Sequence, residues 1–150
     1  MDHRSGNYNN HQHNPGHTNS RHHHHIDKTL NKNFEFAISL TKEALKNEGF
    51  GVLSEIDIQD KLKEKLAVDF RRYIILGACN PPLAYEALKS EDKIGAMLPC
   101  NVIVQELGQN SVEIAAVDPV ASMMAIENKT LEPVAAKVKE KLEKVIFSIN

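Results

Sequence analysis

From Ile26 onward the chain switches between a helical and an alternating hydrophobic period, and the switches outline its elements. Ile26 to Leu30 reads as a short strand. Asn33 is suited to cap a helix, since its side-chain oxygen can accept a backbone N–H from the first turn. Behind it Phe34, Ala37, Ile38, Thr41 and Leu45, widened by Leu40 and Ala44, recur at helical spacing, and Gly49 supplies a left-handed stop. The spacing predicts a helix over 34–48. Phe50, Val52, Ser54, Ile56 and Ile58 then fall on one side of an extended segment, with Glu55 and Asp57 on the other. This predicts a half-buried strand over 50–57 whose two carboxylates are solvated rather than ligating. Asp57 caps a short helix over 58–66, and its Lys61, Lys63, Glu64, Lys65 cluster reads as a wet face.

Arg71 and Arg72 open the next strand, and Tyr73-Ile74-Ile75-Leu76 continues without polar alternation. Such a run marks a strand covered on both faces, so it is expected at the centre of the sheet. It delivers Gly77, Ala78 and Cys79 to its carboxyl end. Asn80 then caps a helix, with Pro81 at the first helical position, where a missing N–H costs nothing. Leu98 to Leu107 predicts a further strand, Gly108-Gln109-Asn110 a compact turn, and Ser111 to Asp118 the antiparallel partner. Residues 120–126 read as a short helical turn in which Met123 and Met124 fill gaps. Thr130 is expected to cap a long final helix with Leu131, Val134, Val138, Leu142, Val145 and Ile149 on one stripe. The sum is an α+β two-layer sandwich: one sheet of about five strands with a C-terminal hairpin, packed by about four helices, the last of them long.

Composition changes this picture only at the amino terminus. Residues 1–25 are rich in Asn, His, Ser and Gly and offer little beyond Tyr8 to bury, so a disordered tail is expected ahead of a single domain over 26–150. All eight histidines lie in that stretch. The run His22, His23, His24 and His25, with His3, His11, His13 and His17, is suited to nickel, zinc or copper. An inert extension explains the same residues. For the rest, 150 residues at 41% apolar can bury one ordinary core. A formal charge of -2 with interspersed signs argues against nucleic acid or an anionic membrane as partner. No apolar run approaches the roughly 18 residues that span a bilayer, and no secretory signal opens the chain, so a cytoplasmic location is expected. Two cysteines without a dense disulfide spacing fit a reducing compartment.

The candidate chemistry is confined to Cys79-Asn80 and Cys100-Asn101, whose four residues are the candidate ligand-binding set. Cys79 falls at the mouth of a helix, where unpaired N–H groups favour an anion. The same Gly-Ala-Cys run is explained by close packing, since free cysteine commonly serves as a small hydrophobe. Usual site parts are missing: there is no G-x-x-x-x-G-K phosphate loop, no C-x-x-C pair, and no histidine beyond residue 25 to activate a cysteine or serine. No catalytic residue is assigned, and a conventional enzyme is disfavoured.

Five motifs in order carry a resemblance: Glu48-Gly-Phe-Gly-Val-Leu-Ser-Glu-Ile-Asp57, Leu76-Gly-Ala-Cys-Asn-Pro81, Pro82-Leu-Ala-Tyr-Glu-Ala-Leu88, Leu98-Pro-Cys-Asn-Val102 and Ala116-Val-Asp-Pro119. From about Ile26 to the end the chain resembles the bacterial and archaeal family named domain of unknown function 302. The resemblance implies a small α+β domain that associates as a homodimer, with no established activity, cofactor or catalytic residues. Two functional readings follow. One is a homodimeric module for small-ligand binding or assembly, with a cleft at the carboxyl end of the Tyr73–Cys79 strand. The other is a thiol-dependent metal, sulfur or redox protein using Cys79 and Cys100, with a His-rich metal-binding tail.

Overall fold

The computed structural model describes residues 25–150, so the expected tail, including His22, His23 and His24, lies outside the described residues. The elements run β1 His25–Leu30, α1 Phe34–Asn47, β2 Gly51–Asp57, α2 Ile58–Leu66, β3 Tyr73–Cys79, α3 Pro81–Ser90, a 3-10 turn Ile94–Met97, β4 Cys100–Gly108, β5 Ser111–Val117, α4 Pro119–Met123 and α5 Glu132–Ser148. The five strands form one sheet in the order β1-β5-β4-β3-β2, every neighbouring pair antiparallel. Local signals set the helix starts as expected: the Asn33 side chain accepts the Phe36 N–H at 2.8 Å, and Gly49 takes the positive φ of 82° that stops α1.

Cross-strand partners share a face of the sheet, so the register assigns every strand residue to a side. Leu76, Val102, Val104, Val112 and Ile114 face inward and are fully buried against Leu45 of α1 and Leu142, Val145 and Ile146 of α5. Thr41 is buried within α1, where its hydroxyl donates to the Ala37 carbonyl at 2.7 Å. Helix α2 packs beside β3 and has no buried residue of its own. The charge run on it is indeed a wet face, partly paired through Lys63 and Asp69 at 2.9 Å.

Four expectations need correction. The central strand is β4, and β3 stands between β4 and the edge strand β2. Only Ile74, Leu76 and Ala78 of β3 are covered by helices, while Tyr73 and Ile75 on its other side are half-buried. The unbroken apolar run therefore reflects an outer face that is itself apolar. Strand β2 is mostly exposed, and a bulge between Val52 and Ser54 reverses its alternation. Val52 pairs with Ala78 on the inner face, Ser54 with Gly77 on the outer, and Glu55 returns to the inner side to meet Lys42 of α1 at 2.8 Å. Thr130 does not cap the last helix: its N–H and hydroxyl both donate to the Asn128 side chain, and α5 starts after Leu131 without a side-chain cap. His25 belongs to the folded domain, paired with Val117 and 3.1 Å from the Asp27 carboxylate. Its strand partner supplies the backbone hydrogen bonds that a tail would leave to water.

Gly77 marks the tightest point of the sheet. A Cβ there would overlap the Ser54 hydroxyl and come within 2.9 Å of Pro99 Cγ. Gly77→Ala is expected to destabilise the fold by about 1–3 kcal/mol through overpacking. Adding Ser54→Ala should return part of that loss in urea unfolding. A Gly77→Ala midpoint equal to the parent's would show that the strands have room to spare.

Candidate functional site

The junction between β3 and α3 is built by Asn80. Its Oδ1 accepts the Leu83 N–H at 3.4 Å, which caps α3, and its Nδ2 donates to the Glu48 carbonyl at 3.3 Å. One side chain thus ties the start of α3 to the end of α1, at 9% exposure. Pro81 follows at the first helical position and Ala84 N–H closes the first turn onto the Asn80 carbonyl.

The same junction sets the cysteines. Strand β3 pairs with β4 so that Ala78 lies opposite Cys100 and Gly77 opposite Asn101. Cys79 is therefore the neighbour of Cys100 by one residue, not its direct partner; alternation along β3 sets Cys79 toward the outer side and Cys100 toward the inner, and both are free thiols. Cys100 is 7% exposed and Cys79 is half-buried. Burial, and secondarily the nearness of Cys79, push the Cys100 thiol up to about 11, so it stays protonated at neutral pH.

Both cysteines line an apolar cleft between the end of the sheet and the helices, with Leu83 and Ala87 of α3, Met123 of α4 and Val134 of α5 among its walls. Asp118 holds the α4 wall in place: its Oδ1 accepts the Val120 and Ala121 N–H groups at 3.0 and 3.2 Å, and its Oδ2 meets Lys139 of α5 at 3.0 Å. The free volume is about 30 Å³. Pockets for organic ligands run from about 300 Å³ upward, so this cleft admits nothing larger than a water molecule or a single ion. A second, shallow groove of about 450 Å³ lies on the other side of Asn80, bordered by Asn47, Glu48 and Lys141, and is open to solvent.

The four sequence candidates thus separate. Asn80 and Cys100 stand at the cleft, Cys79 borders it from the end of β3 with its alternation toward the outer side, and Asn101 is exposed on the outer face. Met123 joins the cleft from a distant part of the chain. Its position was not readable from spacing, because it depends on how α4 packs against α5. Of the histidine run, His25 stands in β1 at the edge of the sheet. Among the described residues no cluster of three or more His, Cys, Asp or Glu side chains is placed to hold a metal, and no helix is long and apolar enough to cross a membrane.

The outer face is the other distinctive surface. Ile56, Ile75, Ile103 and Ala115 stand in one cross-strand row over β2, β3, β4 and β5, and Asp27 of β1 ends it. Beside it runs a polar row in which Arg71 Nε donates to Gln105 Oε1 at 2.8 Å and Gln105 Nε2 donates to Glu113 Oε1 at 2.8 Å. The apolar row is thereby bordered by hydrogen-bonded side chains.

The two-layer α+β domain with this β3–α3 junction belongs to a family of small domains: a family model described as domain of unknown function DUF302 matches residues 26–149, and the chain belongs to that family. A solved structure described as an uncharacterized conserved DUF302 protein from Bacillus stearothermophilus is similar over 85% of this chain and 98% of its own, at 27% sequence identity and a TM-score of 0.78. No curated protein matches the chain.

Two outcomes follow from the junction. Asn80→Ala removes a cap and the tie to Glu48, and should cost about 1–2 kcal/mol in urea unfolding. An unchanged midpoint would mean that the helix start is held by packing alone. Cys100 gives a pH signature. Its thiol is raised in the fold, so the unfolded chain loses that proton first, and the associated stability is full below about pH 9 and lost as pH rises toward 11. The loss should amount to roughly 2–3 kcal/mol by linkage. In Cys100→Ala the alkaline decline measured by urea melts at successive pH values should be correspondingly shallower.

Proposed function

We propose that this domain is an assembly module that pairs with a second copy of itself through the outer face of its sheet. The observation that carries this reading is β3. It is apolar on both sides, yet in the single chain only its inner side is covered. Ile56, at 41% exposure, continues the same apolar row onto β2. An apolar centre with a hydrogen-bonded polar border is the anatomy of a protein interface rather than of a small-molecule pocket.

Charge favours a second copy as the occupant. Arg71 stands at the β3 side of the face, and Glu113 and Asp27 stand at the β5 and β1 side. A two-fold axis through the row sets the base of one copy toward the acids of the other, so the patch is complementary to itself. The sheet edges are poorer candidates. Strand β2 is bulged and carries Glu55 and Asp57, and β1 carries Asp27 and Lys28, features that discourage edge pairing. The 30 Å³ cleft disfavours the small-organic-ligand version of the reading.

The test is mass in solution by light scattering or native mass spectrometry, over a dilution series. The parent chain should run as a dimer. Ile103→Glu, at the centre of the row, should weaken association by about 100-fold, the effect of a charge buried without a partner. Ile56→Glu, at a position already exposed, should weaken it without touching the core. A parent chain that is monomeric at high concentration, or an Ile56→Glu dimer as tight as the parent's, ends the proposal.

A further inference from the structure

Helix α2 keeps an apolar stripe that the single chain leaves open. Ile58, Leu62 and Leu66 recur at four-residue spacing along one side of it, yet none of its residues is buried, and Leu66 is 65% exposed. A helix of nine residues is marginal by itself in water, and packing on an apolar stripe is what ordinarily keeps one formed. We infer that α2 is an arm of the self-association surface, its stripe covered by the outer face of a second copy of this chain. The inference rests on the outer-face reading above and adds a second contact region to it, residues 58–70.

The outer face runs on to α2 without a break. Tyr73 stands on the same side of β3 as Ile75, and the Phe70 ring lies 6.3 Å from the Tyr73 ring. The Arg71 guanidinium carbon sits 4.4 Å from the centre of the Phe70 ring and 5.7 Å from that of Tyr73. Gln59 of α2 in turn donates from Nε2 to the Phe70 carbonyl at 2.9 Å. Leu62 and Leu66, three and seven residues beyond Gln59, share its side of the helix. Aromatic and arginine side chains are the usual anchors of a protein interface, and here they link the isoleucine row to the stripe.

Area calls for the arm. A stable interface covers roughly 800 Å² on each partner. The outer row offers Ile56, which is exposed, and Ile75 and Ile103, which are half-buried, while Ala115 is already buried. Three such side chains fall well short of that area. Leu66 and Val68, both exposed, and the half-buried Leu62 and Phe70 extend the apolar surface next to them.

Charge selects a second copy over a lipid surface. Helix α2 sets Lys61, Lys63 and Lys65 against Asp60 and Glu64, too small an excess of base to hold an anionic membrane. The two-fold that turns Arg71 toward Glu113 and Asp27 of the other copy carries α2 toward the same acidic side, which suits a slightly basic helix.

The experiment uses the full chain. Amide hydrogen exchange of the parent, compared at concentrations above and below the dissociation constant found by dilution, should slow across residues 58–66 in the dimer and stay unchanged in α5. Leu66→Glu puts a charge at an exposed position, so the monomer should keep its fold by far-UV circular dichroism, and the dimer should weaken by about tenfold or more, because the two-fold repeats the substitution. Leu66→Met, which keeps the apolar surface, should match the parent. A parent chain that is monomeric throughout ends the outer-face reading and the arm together. A dimer weakened in Ile56→Glu but as tight as the parent's in Leu66→Glu, or α2 amides that exchange equally fast at both concentrations, overturns the arm and leaves the outer face standing. Capture by anionic lipid vesicles that Leu66→Glu abolishes without loosening the dimer overturns it as well, by assigning the stripe to a membrane.

Discussion

The register between β3 and its two neighbours is the constraint on which the rest depends. At Gly77 the absence of a side chain lets Ser54 of β2 and Pro99, just before β4, close over the strand. With that alignment set, Ala78 falls opposite Cys100 and Leu76 opposite Val102 on the inner face, while Ile75 falls opposite Ile103 on the outer. A slip by one residue would exchange the two sets, sending Leu76 and Ala78 away from the helices and bringing Ile75 and Gly77 toward them. Such a slip would leave α1 and α5 facing a hole at Gly77, since their fully buried side chains, Leu45 and Leu142 among them, fill the space that the present register defines.

Where local rules decide, the sequence was readable. The helices that begin at Phe34, Ile58 and Pro81 start where Asn33, Asp57 and Asn80 can cap them, because capping involves only a few consecutive residues. The β4–β5 hairpin was readable for the same reason, Asn110 taking the positive φ of its turn. Errors arose where distant contacts decide. The bulge in β2 has no local mark at Leu53, so strict alternation put Glu55 on the wrong side. Thr130 has the chemistry of a cap, but Asn128, itself bonded through Nδ2 to the Ser90 carbonyl, captures it. The apolar run of β3 was read as burial by helices on both sides, because sequence records that a face is apolar and not what covers it. Of the site, the proximity of the two Cys-Asn pairs could be suspected, but not that Asn101 turns outward and Met123 turns in.

A sheet with helices on one side has to do something with the other. Here β1 and the flanks of the outer face are polar, and Arg71, Gln105 and Glu113 are linked there by side-chain hydrogen bonds. The row from Ile56 to Ala115 follows a different rule. Each aliphatic side chain left exposed or half-covered forgoes stabilisation at about 25 cal/mol per Å², and Ile56, Ile75 and Ile103 in register make that loss contiguous, whereas apolar residues scattered singly on a surface call for no explanation. Alternation along β3 and β4 thereby divides their residues between two tasks, one set closing the core and the cleft and the other setting the outer surface.

That division also determines how firmly the cleft is held. Cys79 is fixed by pairing with Gly51 and Cys100 by pairing with Ala78, so the ladder on both sides of β3 sets both backbone positions and sends Cys100 inward and Cys79 to the other side. Met123 is held less directly, by a five-residue helix that depends on Asp118 and its ion pair to Lys139. Rigidity and adjustability fall on the residues suited to each. A side chain bound to the sheet has little choice of position, while an unbranched thioether on a short helix can adjust to its neighbours. The cleft is accordingly bounded by Ala78 and Cys100 of the sheet on one side and by Leu83 of α3, Met123 of α4 and Val134 of α5 on the other. Enlarging the cleft on that side means displacing Met123 and breaking the contacts of Asp118 with the Val120 and Ala121 N–H groups and with Lys139.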